Sequence, residues 1–288
     1  MKAKTKGMLY IAACVTLWSF TGILTKSIPW NGMAIAGWRG FVGAAVMFAF
    51  MKKRGVPLVL DKRVWLIGAC VAISALSCLV ANKLTAAANV IMLQYTAPVF
   101  LIVLSMIFYK RRYGLFDYSV VAITLLGIVL FFFDELSPGS LLGNLCALAC
   151  GITYGGMYLF SEEASMDERI CGILLGFVLT GICGAPFVFA GDCEFSIKSV
   201  GMVLLMGAVF YGLPYMFYAL SLRDCPALAA ILISCIEIIL NPVWVYLFIG
   251  ELPGVWALVG SAVILTTILV YSIRNALKEQ NAAKAARE

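Results

Sequence analysis

The stretch AAANVIMLQYTAPVFLIVLSMIFY, residues 86–109, runs for 24 residues without a charged side chain. Because a helix rises about 1.5 Å per residue, about 20 apolar residues are enough to cross a hydrocarbon core about 30 Å thick. The basic residues Lys110, Arg111 and Arg112 follow directly. The pattern is typical of a helix that ends at a membrane surface, and it predicts a membrane protein.

The composition extends this prediction to the whole chain. Of its 288 residues, 63% are hydrophobic and 12% are charged, and the mean hydropathy is +1.00. A typical soluble domain has about a quarter of its residues charged. The apolar stretches are continuous, whereas an outer-membrane barrel has short alternating strands. The net charge of +6 comes from basic turns between these stretches, so we expect a lipid bilayer and no nucleic acid as partner.

Ten apolar stretches, separated by polar turns, are the predicted membrane spans. They lie near residues 7–26, 32–51, 64–82, 86–109, 115–133, 141–160, 170–190, 199–220, 226–248 and 254–273. An even number of spans places both termini on the same side. Of the 21 lysines and arginines, 17 then lie on the side of the termini and 3 on the opposite side. Because cytoplasmic segments collect basic residues, we predict a multi-pass protein of the cell (inner) membrane with both termini cytoplasmic.

The chain also repeats itself at an offset close to half its length. The segment GMLYIAACVTLW from Gly7 aligns with GNLCALACGITY from Gly143, and Ala87 in the fourth span aligns with Ala227 in the ninth. We therefore predict an all-α membrane protein of ten transmembrane helices in two repeats. Residues 1–136 form the first repeat with helices 1–5, and residues 137–288 form the second with helices 6–10 and a cytoplasmic C-terminal tail. Five spans is an odd number, so the two repeats are inverted relative to each other.

These features occur together in one family of carriers. The first span ends in Trp18-Ser19 and Lys26, the second contains WRG with Arg39, and the fourth contains NVIMLQYTAPVF. The second half has GITYGGMY from Gly151 and CIEIILNPVWVYLFIGEL from Cys235. With these motifs the chain resembles the EamA-type ten-helix carriers of the drug/metabolite transporter superfamily. The resemblance implies a secondary transporter that exports amino acids or related small metabolites by alternating access.

The resemblance also has two departures in this sequence. Glu237 and Glu251 match two glutamates often found in the second repeat of the family, but Arg111 stands where the first repeat usually has its helix-end glutamate. Ile238 stands where proline commonly follows the first of those glutamates. The sequence has Asn241-Pro242 instead, which predicts that the helix break of the ninth span is moved by about one turn.

Glu237 is predicted to couple transport to protons. It lies about eleven residues from either end of its span, which is roughly 16 Å and therefore near the middle of the bilayer. An ionised carboxylate at that depth costs at least about 2.5 kcal/mol unless it faces water, a partner or a substrate. The chain has no histidine that could take this role instead. The alternative is a structural hydrogen bond to a neighbouring helix, and the sequence leaves both open.

Other polar and aromatic side chains in the spans are predicted to bind the substrate. Arg39 lies about 10 Å below the outer surface, where it could bind a substrate carboxylate, pair with Glu237, or reach out to the surface. Tyrosine hydroxyls need partners inside a bilayer, and a cavity would supply them. Packing between helices is the alternative for each of these residues. The predicted substrate-binding residues are Trp18, Arg39, Asn89, Gln94, Tyr154, Tyr158, Tyr211, Tyr215 and Asn241.

The sequence argues against several other classes of protein. It contains no H-E-x-x-H or G-x-S-x-G motif and no Walker motif, so we predict neither an enzyme nor direct use of ATP. No cofactor or metal is expected. Within transport, uptake and efflux of cationic drugs stay open beside export, and a membrane scaffold is the alternative outside it. The sequence does not decide between a monomer and a homodimer.

Overall fold

A computed structural model describes residues 2–112, 114–130, 138–162, 164–190, 193–224, 233–234, 236–250 and 255–285. The described residues form helices and turns, without a strand. In chain order the helices are α1 (Lys2–Trp18), α2 (Thr21–Ser27), α3 (Gly32–Arg54), α4 (Lys62–Leu84), α5 (Ala87–Gln94), α6 (Ala97–Tyr109), α7 (Leu115–Leu130), α8 (Pro138–Glu162), α9 (Met166–Gly184), α10 (Ile197–Gly207), α11 (Leu213–Asp224), α12 (Ile236–Ile249) and α13 (Val255–Ala285). A 3₁₀ segment, Ala185–Phe189, follows α9, and a π-helical turn, Ala208–Gly212, joins α10 to α11.

Most of the predicted spans coincide with helical segments of sufficient length. Among the described residues, seven segments are long and apolar enough to cross a membrane: Lys6–Ser27, Gly32–Arg54, Lys62–Leu84, Ala87–Tyr109, Leu141–Glu162, Met166–Phe189 and Ile197–Ser221. Two shorter apolar helices, Leu115–Gly127 and Leu258–Tyr271, coincide with the fifth and tenth predicted spans. The all-α class is confirmed. The ten-helix inverted repeat stays a prediction, since the boundary at 136/137 and much of the ninth span lie outside the described residues.

Two spans that the sequence predicts as single helices are broken near their middle. The first span divides into α1 and α2 at Ser19 and Phe20, and the fourth divides into α5 and α6 at Tyr95 and Thr96. The expectation of continuous helices was therefore wrong at these two places. Broken helices matter in a membrane because backbone groups freed from the helix must find other partners there.

Pro98 explains the break in the fourth span. Proline has no N–H to donate to the carbonyl of the residue four positions earlier, and its ring collides with that carbonyl. The residue four positions before Pro98 is Gln94, the last residue of α5. Pro98 itself is the second residue of α6, a position where its missing N–H costs nothing.

The break in the first span has no proline, and side-chain hydroxyls take part in it instead. Ser19 Oγ donates to the carbonyl of Thr16 at 2.7 Å, which competes with the regular backbone pattern. The indole of Trp244 in α12 donates to the same hydroxyl at 3.0 Å, and its ring stacks on Phe20 at 5.0 Å. A residue far away in the sequence thus helps to fix this break.

Glycines bring the neighbouring helices close to the broken segments. A Cβ at Gly151 would lie 2.6 Å from the carbonyl oxygen of Leu93, and one at Gly155 would lie 2.6 Å from that of Ala97. Only glycine therefore lets α8 approach both sides of the α5–α6 break. Gly37 serves α3 in the same way, since its Cβ would lie 1.9 Å from the backbone nitrogen of Ala185.

The second half differs from expectation at three further places. Pro214 has no N–H to donate, and in a regular α-helix its ring would collide with the carbonyl of Phe210, four residues earlier. The π-helical turn directly before it widens the helix at this point. The predicted break at Asn241-Pro242 was wrong, because α12 continues through both residues. Helix α13 runs beyond residue 273 because the tail is rich in strong helix formers such as alanine and lysine.

Candidate functional site

A small cavity of about 50 Å³ lies where the broken segments meet α3, α4, α8, α11 and α12. It has room for a few water molecules, since each needs about 10–15 Å³ of this measure. Both predicted halves contribute to its walls. The lining residues are Trp18, Thr21, Arg39, Ser74, Ala75, Cys78, Asn82, Ala87, Val90, Ile91, Gln94, Tyr154, Tyr211, Tyr215, Glu237 and Asn241.

Arg39 forms the cationic wall of this cavity. Its side chain is only 3% exposed, and its guanidinium carbon lies 4.2 Å from the centre of the Tyr211 ring. The ring face offsets part of the cost of burying the cation. The Nε atom of Arg39 is buried without a hydrogen-bond partner among the described residues, and Arg39 makes no ion pair with Glu237. The alternatives of a pair with Glu237 and of a side chain reaching the surface were therefore wrong.

Glu237 forms the opposite, acidic wall, where it is also 3% exposed. The hydroxyl oxygen of Tyr95 lies 2.9 Å from Glu237 Oε2 and 2.7 Å from the backbone oxygen of Ser234. A carbonyl oxygen only accepts hydrogen bonds, and a phenol has one proton to donate. The Tyr95 hydroxyl therefore donates to Glu237 or to Ser234, or shares its proton between them, and Glu237 has a buried partner without any ligand.

Aromatic rings close the cavity on the side of α8 and α11. The ring of Trp18 meets those of Tyr215 and Tyr154 edge-on, with centroids 5.0 and 6.2 Å apart. Tyr211 packs on Phe177 at 4.3 Å. Edge-to-face arrangements of this kind hold the rings in defined positions and present polar hydroxyls beside apolar faces.

Several lining atoms are polar, buried and without a partner among the described residues. They are Nε of Arg39, the hydroxyl of Tyr211, and the side-chain oxygens of Asn82 and Asn241. A buried polar atom that lacks a hydrogen bond costs about 1–3 kcal/mol. One donor cation and several acceptors thus face a shared space, and a ligand with a carboxylate and an amino group would satisfy them.

Three of the lining residues follow one face of α4 and escaped the sequence analysis. Ser74, Cys78 and Asn82 are spaced four residues apart, so they lie on successive turns. Their regular spacing was a signal that could have found them. Ser74 Oγ lies 3.3 Å from Cys150 Sγ, and that thiol donates to Gln94 Oε1 at 3.4 Å, so Gln94 is held in place from α8. Tyr95, beside the break, was missed as well.

The structure brings most of the predicted site residues together. Seven of the nine predicted substrate-binding residues line the cavity together with Glu237. They are Trp18, Arg39, Gln94, Tyr154, Tyr211, Tyr215 and Asn241. Asn89 and Tyr158 do not line it. Asn89 donates to Thr85 Oγ1 at 3.4 Å, and Tyr158 lies behind Tyr154 with its hydroxyl 3.4 Å from that of its neighbour. Glu251 lies outside the described residues, which contain no cluster of side chains suited to a metal ion.

Hydrogen bonds close the bundle at the end opposite the tyrosines. Lys83 Nζ donates to the carbonyl of Ile28 at 2.6 Å. The indole of Trp30 donates to the carbonyl of Glu194 at 2.8 Å, and the amide of Asn31 donates to that of Phe187 at 2.9 Å. The loop between α2 and α3 is thereby tied to the segment before α10.

Comparison with known proteins agrees with this architecture. One solved structure, described as "Crystal structure of protein", has a TM-score of 0.63 to this chain at 18% sequence identity. The likeness covers 94% of this chain and 97% of the other, and at this identity it shows the fold alone. A search of curated proteins found no match.

The sequence of the first half matches a known family. Residues 5–133 match the EamA-like transporter family, which is the resemblance predicted from the motifs. The matched residues include α1 to α6 and most of α7. The first half of this multi-pass membrane protein is thus similar to the EamA-like transporter family.

Proposed function

We propose that this protein is a secondary transporter that exports amino acids or related small metabolites by alternating access between two inverted five-helix repeats. The observation that carries the proposal is one cavity between the helices with a buried arginine on one wall and a buried glutamate on the other. Arg39 binds the carboxylate of the substrate, the amide oxygens of Asn82 and Asn241 accept from its amino group, and Glu237 carries the coupled proton. The substrate moves outward as a proton moves inward.

The size of the cavity sets a requirement for this cycle. At about 50 Å³ the cavity is too small for an amino acid, so helices must move apart before the substrate can bind. Opening requires one end of the bundle to separate while the other stays closed. The glycine contacts of α8 and α3 keep helices packed at the cavity, and the broken spans supply points where segments can tilt relative to each other.

The chemistry of the cavity also favours one class among the candidate substrates. A quaternary amine would place a permanent cation beside Arg39, at a distance where like charges repel strongly in a poorly solvated site. An amino acid instead offers both charges that the walls can bind. Transport of amino acids is therefore favoured over efflux of cationic drugs.

Purified protein in proteoliposomes tests this proposal. Radiolabelled amino acids, nucleosides and quaternary amines are screened for counterflow and for accumulation, with and without a pH gradient. We expect counterflow of at least one amino acid, and its accumulation only when the gradient is present. Transport of quaternary amines alone would favour the drug-efflux alternative, and the absence of any flux would contradict transport of these classes.

The orientation is tested separately by labelling single cysteines, after the accessible native cysteines have been replaced. We expect residues near Lys53, Arg111 and the C terminus to label from the cytoplasmic face of the inner membrane. Residues near Asp192 and Glu251, which lie outside the described residues, are expected to label from the other face. Labelling of Arg111 and Glu251 from the same face would contradict the inverted repeat.

A further inference from the structure

A second set of tyrosines lies behind the cavity, towards the ends of α8 and α11 that carry Glu162 and Arg223. Tyr158 is one turn beyond Tyr154 on α8, and Tyr218 is about one turn beyond Tyr215 on α11. Their rings touch in series, with centroids 5.1 Å apart for 154 and 158, 5.4 Å for 158 and 218, and 6.1 Å for 215 and 218. We call these four residues the tyrosine layer. All four are buried and their rings pack on one another, so a metabolite would have to displace a ring to pass between them.

The hydroxyls of this region do not satisfy one another completely. Those of Tyr154 and Tyr158 lie 3.4 Å apart, which is a long hydrogen bond. The hydroxyls of Tyr218 and Ser161 are buried and interact with each other, without a further hydrogen bond among the described residues. Buried water usually bridges polar groups of this kind, because leaving them unpaired is costly. The region is therefore suited to hold water between its hydroxyls.

This row of hydroxyls begins at the cavity and ends near the surface. At its inner end, Tyr95 contacts Glu237, and its ring meets that of Tyr154 at 6.3 Å. From Tyr154 to Ser161 the row follows α8 for about 10 Å. At its outer end, the carbonyl of Ser161 accepts a hydrogen bond from Arg169 Nε at 2.7 Å, next to the exposed Glu162.

We propose that the tyrosine layer blocks the substrate but conducts protons, so that Glu237 exchanges its proton with the cytoplasm through these hydroxyls and the water between them. The inference rests on the proposed role of Glu237 as the coupling site. Each oxygen accepts one proton as it passes its own proton on. Glu237 therefore becomes a carboxylate, one proton reaches bulk water, and no tyrosine changes its charge.

The surroundings of Glu237 suit such a transfer. The groups that face it are thiols and phenols, which are mostly neutral at physiological pH, and Arg39 is the cation on the opposite wall of the cavity. No neighbouring anion then competes for the proton, and no adjacent cation holds the carboxylate permanently charged. The facing groups are Cys14 of α1, Cys78 of α4, Tyr95 at the break, and Cys150, Tyr154 and Tyr158 of α8.

Removing single hydroxyls tests the path without removing the rings. Tyr218→Phe and Ser161→Ala are compared with the parent and with Tyr10→Phe, whose ring stacks on Phe217 outside the layer. After a rapid pH jump, time-resolved infrared absorption follows the protonated carboxyl band that disappears in Glu237→Gln. We expect Tyr218→Phe and Ser161→Ala to slow this titration on the order of tenfold or more, because each removes a positioned proton carrier. Tyr10→Phe should titrate as the parent does.

The outcomes separate the path from the coupling site. If Glu237→Gln removes the band but Tyr218→Phe and Ser161→Ala titrate at the parent's rate, the path is wrong and the coupling role of Glu237 stands. If Glu237→Gln removes no band, both the coupling site and the path are overturned. Counterflow of the amino acid found in the screen controls for folding, since exchange of substrate for substrate moves no net proton and should continue in Tyr218→Phe.

Discussion

The two walls of the cavity differ in how they stabilise an ionisable residue inside the membrane. The carboxyl of Glu237 has a hydrogen-bond partner in the hydroxyl of Tyr95. The guanidinium of Arg39 cannot lose its charge, and it is held over the ring of Tyr211 with Nε left without a partner. The acidic wall therefore has its hydrogen-bond partner without a ligand, whereas the cationic wall has a donor that only a ligand or water can satisfy.

This difference predicts how the proton and the substrate each bind to the cavity. A proton can reside on Glu237 while the cavity is empty, because the carboxyl already has Tyr95 as a hydrogen-bond partner. Arg39 gains from any anion that enters, since burial makes a charge-assisted hydrogen bond stronger than it is in water. Loss of Glu237 should therefore uncouple transport, whereas loss of Arg39 should weaken substrate binding.

The largest effect is expected for Glu237→Gln. Glutamine keeps the size of the side chain but cannot exchange a proton, so accumulation driven by a pH gradient should fall to background while counterflow persists. Glu237→Asp keeps a titrating group, and part of the pH-dependent accumulation should survive. Both are measured in proteoliposomes. If Glu237→Gln accumulates substrate with the parent's pH dependence, Glu237 is structural and the coupling role is wrong.

Arg39→Met is expected to have the next largest effect. It keeps much of the packing volume but removes the cation, so affinity for an amino acid should fall about 10- to 100-fold, as for a hydrogen bond to a charged group. Affinity for the corresponding methyl ester should change much less. Arg111→Met, at an exposed ion pair with Glu162, serves as the control. Equal losses of affinity for the amino acid and its methyl ester would show that Arg39 does not bind the carboxylate.

The aromatic residues of the cavity should have intermediate effects. Tyr154→Ala and Tyr215→Ala are expected to lower transport about 3- to 10-fold through lost ring contacts. Tyr10→Ala and Tyr271→Ala are matched controls, since those rings stack on Phe217 and Phe116 away from the cavity. Uptake is compared at equal expression. Losses of the same size at all four positions would favour packing over substrate contact.

Asn82→Ala is expected to have the smallest effect of the series. It removes one neutral acceptor from the cavity, which corresponds to about a 2- to 5-fold loss of affinity for a substrate with a free amino group. The N-acetylated analogue should bind the parent and the variant equally. Isothermal titration with the two ligands makes this comparison, and equal losses for both would assign Asn82 to packing.

The sequence was sufficient for most of the helices and for several of the polar residues buried among them. Length and hydropathy decide whether a helix can span a bilayer, so most spans were predicted within a few residues. A polar side chain in such a span is costly, which made Glu237, Arg39 and Gln94 candidates before any contact was known.

The remaining features depend on contacts between distant parts of the chain. Pro98 was a local signal for one break, but the break at Ser19 also involves Trp244, which lies more than 200 residues away. The position of Tyr211 under Arg39 depends on how the π-helical turn places α11 against α3. Periodicity within one helix carries no information on such pairs, so the partner of Arg39 could not be predicted.

Proton movement during transport tests the central claim most directly. Proteoliposomes without a pH gradient, voltage-clamped with potassium and valinomycin, receive an outward gradient of the amino acid found in the screen, and a trapped dye reports the lumenal pH. We predict that amino acid efflux acidifies the lumen in the parent and that Glu237→Gln moves the amino acid, if at all, without a pH change. Efflux from the parent with no change of lumenal pH would contradict proton coupling through this cavity.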